Sequence, residues 1–161
     1  MPRMRVRHFL LFALVFSTPP VFAQQAQADE AALDKTDVAV RAAFTNGDLN
    51  AIRLLHHPDV VKSPSPDTFQ TGRDAVVDAL AANFKTMHLE FTESRMESSL
   101  VMENSAVRIF HFTIRATPKA GGAPSSFTGR AMVVYTRSKD SPTGWATIRE
   151  LVQPAIQARQ P

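Results

Sequence analysis

Four polar residues in the C-terminal half of the chain could do chemistry: Glu150, His111, Arg130 and Tyr135. Glu150 lies in an alternating segment, on the strand face that regular alternation also gives to Ile148. A carboxylate on an otherwise apolar strand face is costly unless it is paired or takes part in a reaction. Glu150 is therefore the candidate catalytic residue, as a general acid or base, and Arg130 on the neighbouring strand is its expected partner if it is structural instead.

His111, Arg130 and Tyr135 are the candidate ligand-binding residues. The ordinary pKa of histidine, about 6.5, would suit a general base at His111, and a histidine of the core or of a subunit interface is the alternative. Arg130 and Tyr135 have opposite parity, so a regular strand cannot aim both into one pocket. A β-bulge would be needed to bring them together.

Hydrophobic periodicity predicts the elements that position these residues. Steps of three and four residues predict three helices, over 29–46, 48–56 and 73–85. Val60 and Val61 predict a short strand between the second and third helices. From His88 the period changes to two, which predicts four more strands over 88–93, 105–115, 127–137 and 145–152. This order indicates an α+β fold in which three N-terminal helices pack on a curved antiparallel sheet.

The strand over 105–115 is apolar on both faces. Phe110 and Phe112 point one way, whereas Val107 and Ile109 point the other. Since the helices can cover only one face, we expect a second copy of the sheet to cover the other. The sequence therefore predicts a homodimer.

The composition excludes several kinds of site. The chain has 161 residues and no cysteine, which excludes disulfides, thiolate zinc sites, iron–sulfur clusters and cysteine nucleophiles. His56 and His57 are adjacent on a helix end, where their side chains diverge by about 100° and do not chelate one metal easily. No glycine-rich phosphate loop is present. We therefore expect neither a metal nor a cofactor.

The first 23 residues have the pattern of an export signal. Arg3, Arg5 and Arg7 precede an apolar run over 9–16, and Ala23 offers a cleavage site. We predict a signal peptide over 1–23 and localisation to the periplasm or outside the cell. After its removal we expect a flexible start over 24–28, one domain over 29–154 and a tail over 155–161.

Cleavage would also remove the basic charge of the chain. Without the three arginines of the signal, 15 basic residues face 15 acidic ones. A protein of balanced charge gives no reason to expect nucleic acid as a partner. After removal of the signal we do not expect it to bind a membrane either.

The segments 42–52, 55–61, 72–76 and 144–154 resemble the nuclear transport factor 2-like superfamily, in particular its SnoaL-like and ketosteroid-isomerase-like branch. The carrying patterns are a helix pair with Asn-Gly-Asp-Leu, followed by His-Pro-Asp-Val-Val. The resemblance implies a cone of three helices on a bent sheet, with a pocket in its mouth and usually a dimer.

The catalytic residues of that branch match poorly. The resemblance would place the isomerase base near Lys62, its oxyanion-binding tyrosine at Val40 and its protonated aspartate near Tyr135. An Arg-x-Asp of the epoxide hydrolases is also missing. One position matches, because Ile148-Arg149-Glu150-Leu151 resembles the Trp-Arg-Asp-Tyr end of the cyclases, with Glu150 at the carboxylate.

These observations favour an exported protein that binds a small hydrophobic or amphipathic molecule in a cone pocket without a cofactor. One alternative is a cofactor-free isomerase, cyclase or hydrolase that uses Glu150 as general acid or base. Another is a protein-binding module that acts through its sheet face. The fold alone does not decide among them.

Overall fold

Three helices and six strands make up the computed structural model, which describes residues 21–155. The helices are α1 (Val21–Asn46), α2 (Leu49–Leu55) and α3 (Arg73–Thr86). The strands are β1 (His56–Ser65), β2 (Thr68–Thr71), β3 (Met87–Val101), β4 (Ser105–Pro118), β5 (Ser125–Arg137) and β6 (Trp145–Pro154).

All six strands join one curved sheet in the order β2-β1-β6-β5-β4-β3. The α+β class is as predicted, but two details are corrected. The hairpin of β1 and β2 stands between α2 and α3, so the three helices are not consecutive. The sheet is not purely antiparallel either, because β1 and β6 run parallel.

Proline chemistry explains why the hairpin is missed in the sequence. Pro64 and Pro66 lack donors for a ladder, which predicts a loop. In the structure Pro64 lies in β1 where the register against β2 shifts, between Lys62 and Ser65, so no regular ladder needs its donor. Pro66 lies in the turn that joins the two strands.

Local signals at the first helix junction are confirmed. Gly47 has a φ of 65°, in the left-handed region that ends helices, as the Asn46-Gly47 pair predicts. Asp48 caps α2 by accepting a hydrogen bond from the backbone of Ala51 at 2.9 Å.

The start of the chain differs from the expectation. Residues 24–28, predicted as a flexible start, are part of helix α1. Residues 1–20 of the predicted signal and residues 156–161 of the predicted tail lie outside the described residues. Within residues 21–155, no helix is both long and apolar enough to cross a membrane.

Two buried clusters support the site. One joins Leu33 of α1 to sheet residues such as Phe110 and Trp145. The other joins the three helices and β1, around Ile52 and Val76. The opposite side of the sheet, here called the outer face, carries a cross-strand row of Ile109, Met132 and Leu151. Met132 and Leu151 are exposed.

Candidate functional site

A cavity of about 330 Å³ lies between helices α1 and α3 and the inner face of the sheet. Most of its wall is apolar. Four aromatic rings form a chain of neighbours along it, with centroid distances of 5.6, 6.0 and 5.8 Å, in the order Phe44, Phe91, Phe112 and Phe127. Such a wall suits an apolar ligand body, and the volume falls at the lower end of the range for small-molecule pockets.

Strand parity decides which predicted residues face this cavity. On β5 the odd positions Ala131, Val133 and Tyr135 face it. Tyr135 therefore lies in the cavity wall as predicted. Arg130 has the other parity and lies on the outer face, where it pairs with Glu97 at 2.6 Å. The sequence argument that one strand cannot aim both side chains into the pocket is confirmed.

His111 also points away from the cavity. Its cross-strand neighbour is Arg130, and its Nδ1 lies 3.4 Å from a carboxylate oxygen of Glu93. His111 and Arg130, predicted to bind a ligand, therefore do not line this cavity, because Phe110 and Phe112 hold the inward positions of β4.

Glu150 lies in the cavity wall, but its surroundings differ from the prediction. Alternation predicts that Ala146 and Ile148 share its face. Instead the register of β6 against β5 shifts at Ile148, so that Thr147 and Glu150 both face the cavity. This one-residue irregularity has the effect of a β-bulge, which re-aims the side chains that precede it.

The partner of Glu150 is Lys62, not Arg130. Lys62 stands opposite Glu150 in the parallel β1–β6 pair, and its Nζ lies 2.6 Å from the carboxylate. Lys62 is buried and Glu150 largely so. The ion pair places both charges in the wall of the cavity.

Behind Lys62 lies His56, which is fully buried at the start of β1. Its Nδ1 is 2.7 Å from the carbonyl oxygen of Ile52, so this nitrogen carries the proton. Nε2 is then the acceptor, 3.4 Å from Nζ of Lys62. Burial and, to a smaller extent, the charge of Lys62 together lower the pKa of His56 to about 3. His56 is thus a neutral acceptor that helps to orient Lys62.

A second polar group in the wall is formed by Asp37 and Tyr135. The Tyr135 hydroxyl donates to an oxygen of Asp37 at 2.6 Å, and Arg108 donates to the other oxygen. Burial raises the pKa of the Asp37 carboxyl, while the bonds from Tyr135 and Arg108 oppose that rise. Burial, with the charge of Asp37, also raises the pKa of Tyr135 well above its usual range.

Arg108 connects this pair to helix α1. Its side chain is only 1% exposed and also donates to Asp34, at 2.9 Å, and to Glu30. The sequence pattern could have identified both Asp37 and Arg108 as buried charged residues. Asp37 lies on the helix face of Leu33, and Arg108 shares the parity of Phe110, so each is a charge in an apolar register.

Within the described residues, no group of three or more histidine, aspartate or glutamate side chains is placed to hold a metal ion. His56 and His57 do not converge, since His56 is buried against Ile52 whereas His57 accepts from the backbone of Asp59.

Comparisons with known proteins agree on the fold. A family model described as a SnoaL-like domain matches residues 38–141. A search of curated proteins finds no match. Among solved structures, a conserved protein from Planctomyces limnophilus DSM 3776 is 26% identical, with a TM-score of 0.72 over 80% of this chain and 99% of that one.

Two further solved structures share the fold at lower identity. A ketosteroid isomerase-like protein from Erwinia carotovora atroseptica SCRI1043 is 18% identical, with a TM-score of 0.65 over 80% of this chain and 96% of its own. A candidate scytalone dehydratase from Novosphingobium aromaticivorans DSM 12444 is 12% identical, with a TM-score of 0.70 over 83% and 89%. At these identities the likeness concerns the fold alone.

Proposed function

Since the chain belongs to the SnoaL-like family of the nuclear transport factor 2-like superfamily, we propose that it binds a small, largely apolar molecule with a polar end. The observation that carries the proposal is the cavity itself. Its wall is mostly aromatic and aliphatic, and two of its polar groups, Tyr135 and Glu150, lie on adjacent strands. In such pockets, a small number of polar groups at defined positions in an apolar wall fixes the orientation of the ligand.

The partners of these polar groups favour binding over chemistry. Glu150 is held by Lys62 at 2.6 Å, and Asp37 is held by Tyr135 and Arg108. A carboxylate that already accepts charged hydrogen bonds is a weakened base. No cofactor is part of the proposal.

The neutral fluorophore N-phenyl-1-naphthylamine tests the proposal, because its emission rises when it leaves water. We expect saturable binding of one probe per chain. Ala79 is half-buried at the cavity on α3, and Ala79→Trp should weaken binding at least about tenfold by filling the space. Ala75→Trp, at an exposed position one turn earlier that does not line the cavity, is the matched control and should leave binding unchanged. Equal binding by both variants would contradict the proposal.

A second function, cofactor-free acid–base catalysis of the isomerase, cyclase or hydrolase kind, is favoured by one observation. The Asp37 carboxyl has a raised pKa, faces a cavity and contacts a tyrosine hydroxyl. Groups with shifted pKa values in clefts are typical of proton-transfer sites. Asp37 joins Glu150, the residue favoured by the sequence, as a candidate for that role, because burial raises the pKa of its carboxyl even though Arg108 holds it as Lys62 holds Glu150.

The proposal includes export. It rests on the pattern of residues 1–23, with periplasmic or extracellular localisation after cleavage following Ala23. With the signal removed, the balanced charge gives no reason to include nucleic acid or a membrane among the partners.

We also propose that two copies associate through the outer face. Met132 and Leu151 are exposed there in one row with Ile109, which is unusual for the surface of a monomer. Light scattering at micromolar concentration should give about twice the mass of one chain, and Leu151→Lys should shift the mass toward the monomer. A monomeric mass for the unchanged protein would contradict the dimer, and the alternative would then be that a different protein binds the outer face.

A further inference from the structure

Arg41 is a charged residue of the cavity wall. Within residues 21–155, no side chain forms an ion pair or a hydrogen bond with it. It lies on α1, half-buried, one turn after Asp37. A pair of opposite charges four residues apart on a helix would normally meet. Here both oxygens of Asp37 are occupied, one by Tyr135 and the other by Arg108. The guanidinium of Arg41 forms neither an ion pair nor a side-chain hydrogen bond in the part of the chain that the structure describes.

The other charged side chains of the wall each have an ion-pair partner inside the protein. Among the described residues, Asp37 and Glu150 are the carboxylates that line the cavity. Glu150 is paired with Lys62 at 2.6 Å, and Asp37 with Arg108. Within residues 21–155, Arg41 is therefore the cation of the wall whose guanidinium has no bonded carboxylate, although its charge acts on Asp37 one turn earlier.

The apolar surroundings make that charge more effective. Phe44 and Val40 flank Arg41 on the same helix and line the same cavity. A charge beside a low-dielectric wall interacts more strongly with a ligand than it would in water. A guanidinium also offers a planar set of donors that matches the oxygens of a carboxylate or sulfonate.

We infer that the ligand is an amphipathic monoanion, with an apolar ring or chain body in the aromatic part of the cavity and one anionic oxygen group at Arg41. This inference rests on the proposed function, because it names the class of ligand for the same cavity. The anionic group of the ligand would accept the hydrogen bonds of Arg41 that Asp37 cannot accept, because both oxygens of Asp37 are occupied.

Two probes with the same ring skeleton separate charge from apolar burial. The anion 1-anilinonaphthalene-8-sulfonate differs from N-phenyl-1-naphthylamine by one sulfonate group. We expect the unchanged protein to bind the anionic probe at least about tenfold more tightly than the neutral one. Arg41→Gln should remove this preference and leave the affinity for the neutral probe unchanged, while Arg41→Lys should restore part of the preference.

Arg53→Gln is the matched control, since Arg53 pairs with Asp74 outside the cavity wall. It should keep the full preference for the anion. Glutamine is a good helix former, so neither variant should lower the melting temperature much.

The outcomes separate the inference from the proposed function. If both probes bind with equal affinity, or if the preference survives Arg41→Gln, the anionic ligand class is overturned while binding in the cavity stands. If Ala79→Trp leaves both probes bound as before, binding in the cavity fails and the inference fails with it.

Discussion

Replacing Arg108 with methionine is expected to lower the free energy of unfolding by about 3–5 kcal/mol at neutral pH. Arg108 is 1% exposed and donates to Asp37, which is itself buried. Methionine fills much of the space but leaves the Asp37 carboxylate without its cation, and an uncompensated buried charge is strongly destabilising. Urea denaturation of both proteins measures the difference.

Arg130→Met provides the control for the loss of an arginine from the sheet. Arg130 also pairs with a carboxylate, but it does so on the outer face, where water and salt screen the pair. We expect this variant to lose far less stability. Equal losses in the two variants would show that Arg108 is not the cation that keeps Asp37 buried.

Acidification should reduce the cost of Arg108→Met. Burial already raises the pKa of Asp37 from its ordinary 3.8, and removal of Arg108 takes away a contact that opposes this rise. A carboxyl with a raised folded-state pKa contributes stability that is fully present below the unfolded pKa and is lost as the pH rises through the folded value. The variant should therefore be closest to the unchanged protein in acid, and adding Asp37→Asn should recover stability at neutral pH.

Residue alternation allowed the sequence to predict the faces of the long strands. Parity depends only on local backbone geometry, so it predicts that Tyr135 and Arg130 face opposite sides of the sheet, but not which of them faces the cavity. The same parity placed His111 beside Arg130, away from Phe110 and Phe112. The sequence prediction still grouped His111 and Arg130 with the ligand contacts, because it did not establish which face the helices cover.

The partners of the site residues were less accessible from the sequence. Lys62 meets Glu150 through a parallel strand pair, which depends on how distant segments come together. The register shift at Ile148 changes which side chains share the face of Glu150, and no turn residue marks it. The Asp37–Tyr135 contact joins residues 98 positions apart. The Asp37–Arg108 pair was more accessible, because Asp37 on α1 and Arg108 on β4 are charges in apolar registers and two opposite charges buried in one domain must pair.

His56 gives the second large effect, an acid-dependent loss of stability. Burial, together with the nearby charge of Lys62, lowers its pKa from 6.5 to about 3. The unfolded chain therefore takes up a proton before the folded one does. The stabilising contribution is fully present above pH 6.5 and is lost as the pH falls toward 3. Between pH 7 and pH 4 we expect the loss to reach roughly 3 kcal/mol.

His56→Asn isolates this loss, because its amide can still donate toward the carbonyl of Ile52 but does not titrate. The variant starts from a lower stability, and the measured quantity is the change in unfolding free energy from pH 7 to pH 4 rather than its absolute value. That change should be smaller in His56→Asn by roughly 3 kcal/mol. His57→Asn, at the partly exposed neighbouring ring, should keep the slope of the unchanged protein.

The physical reason for so steep a dependence is first the burial of His56 and second its contact with Lys62. Nε2 of His56 accepts from Nζ of Lys62 at 3.4 Å, and a proton on Nε2 would turn that acceptor into a second cation facing the ammonium group. Lys62 could then no longer be held by both His56 and Glu150. If the unchanged protein and His56→Asn lost stability in parallel on acidification, His56 would not be the buried neutral ring that orients Lys62 in the cavity wall.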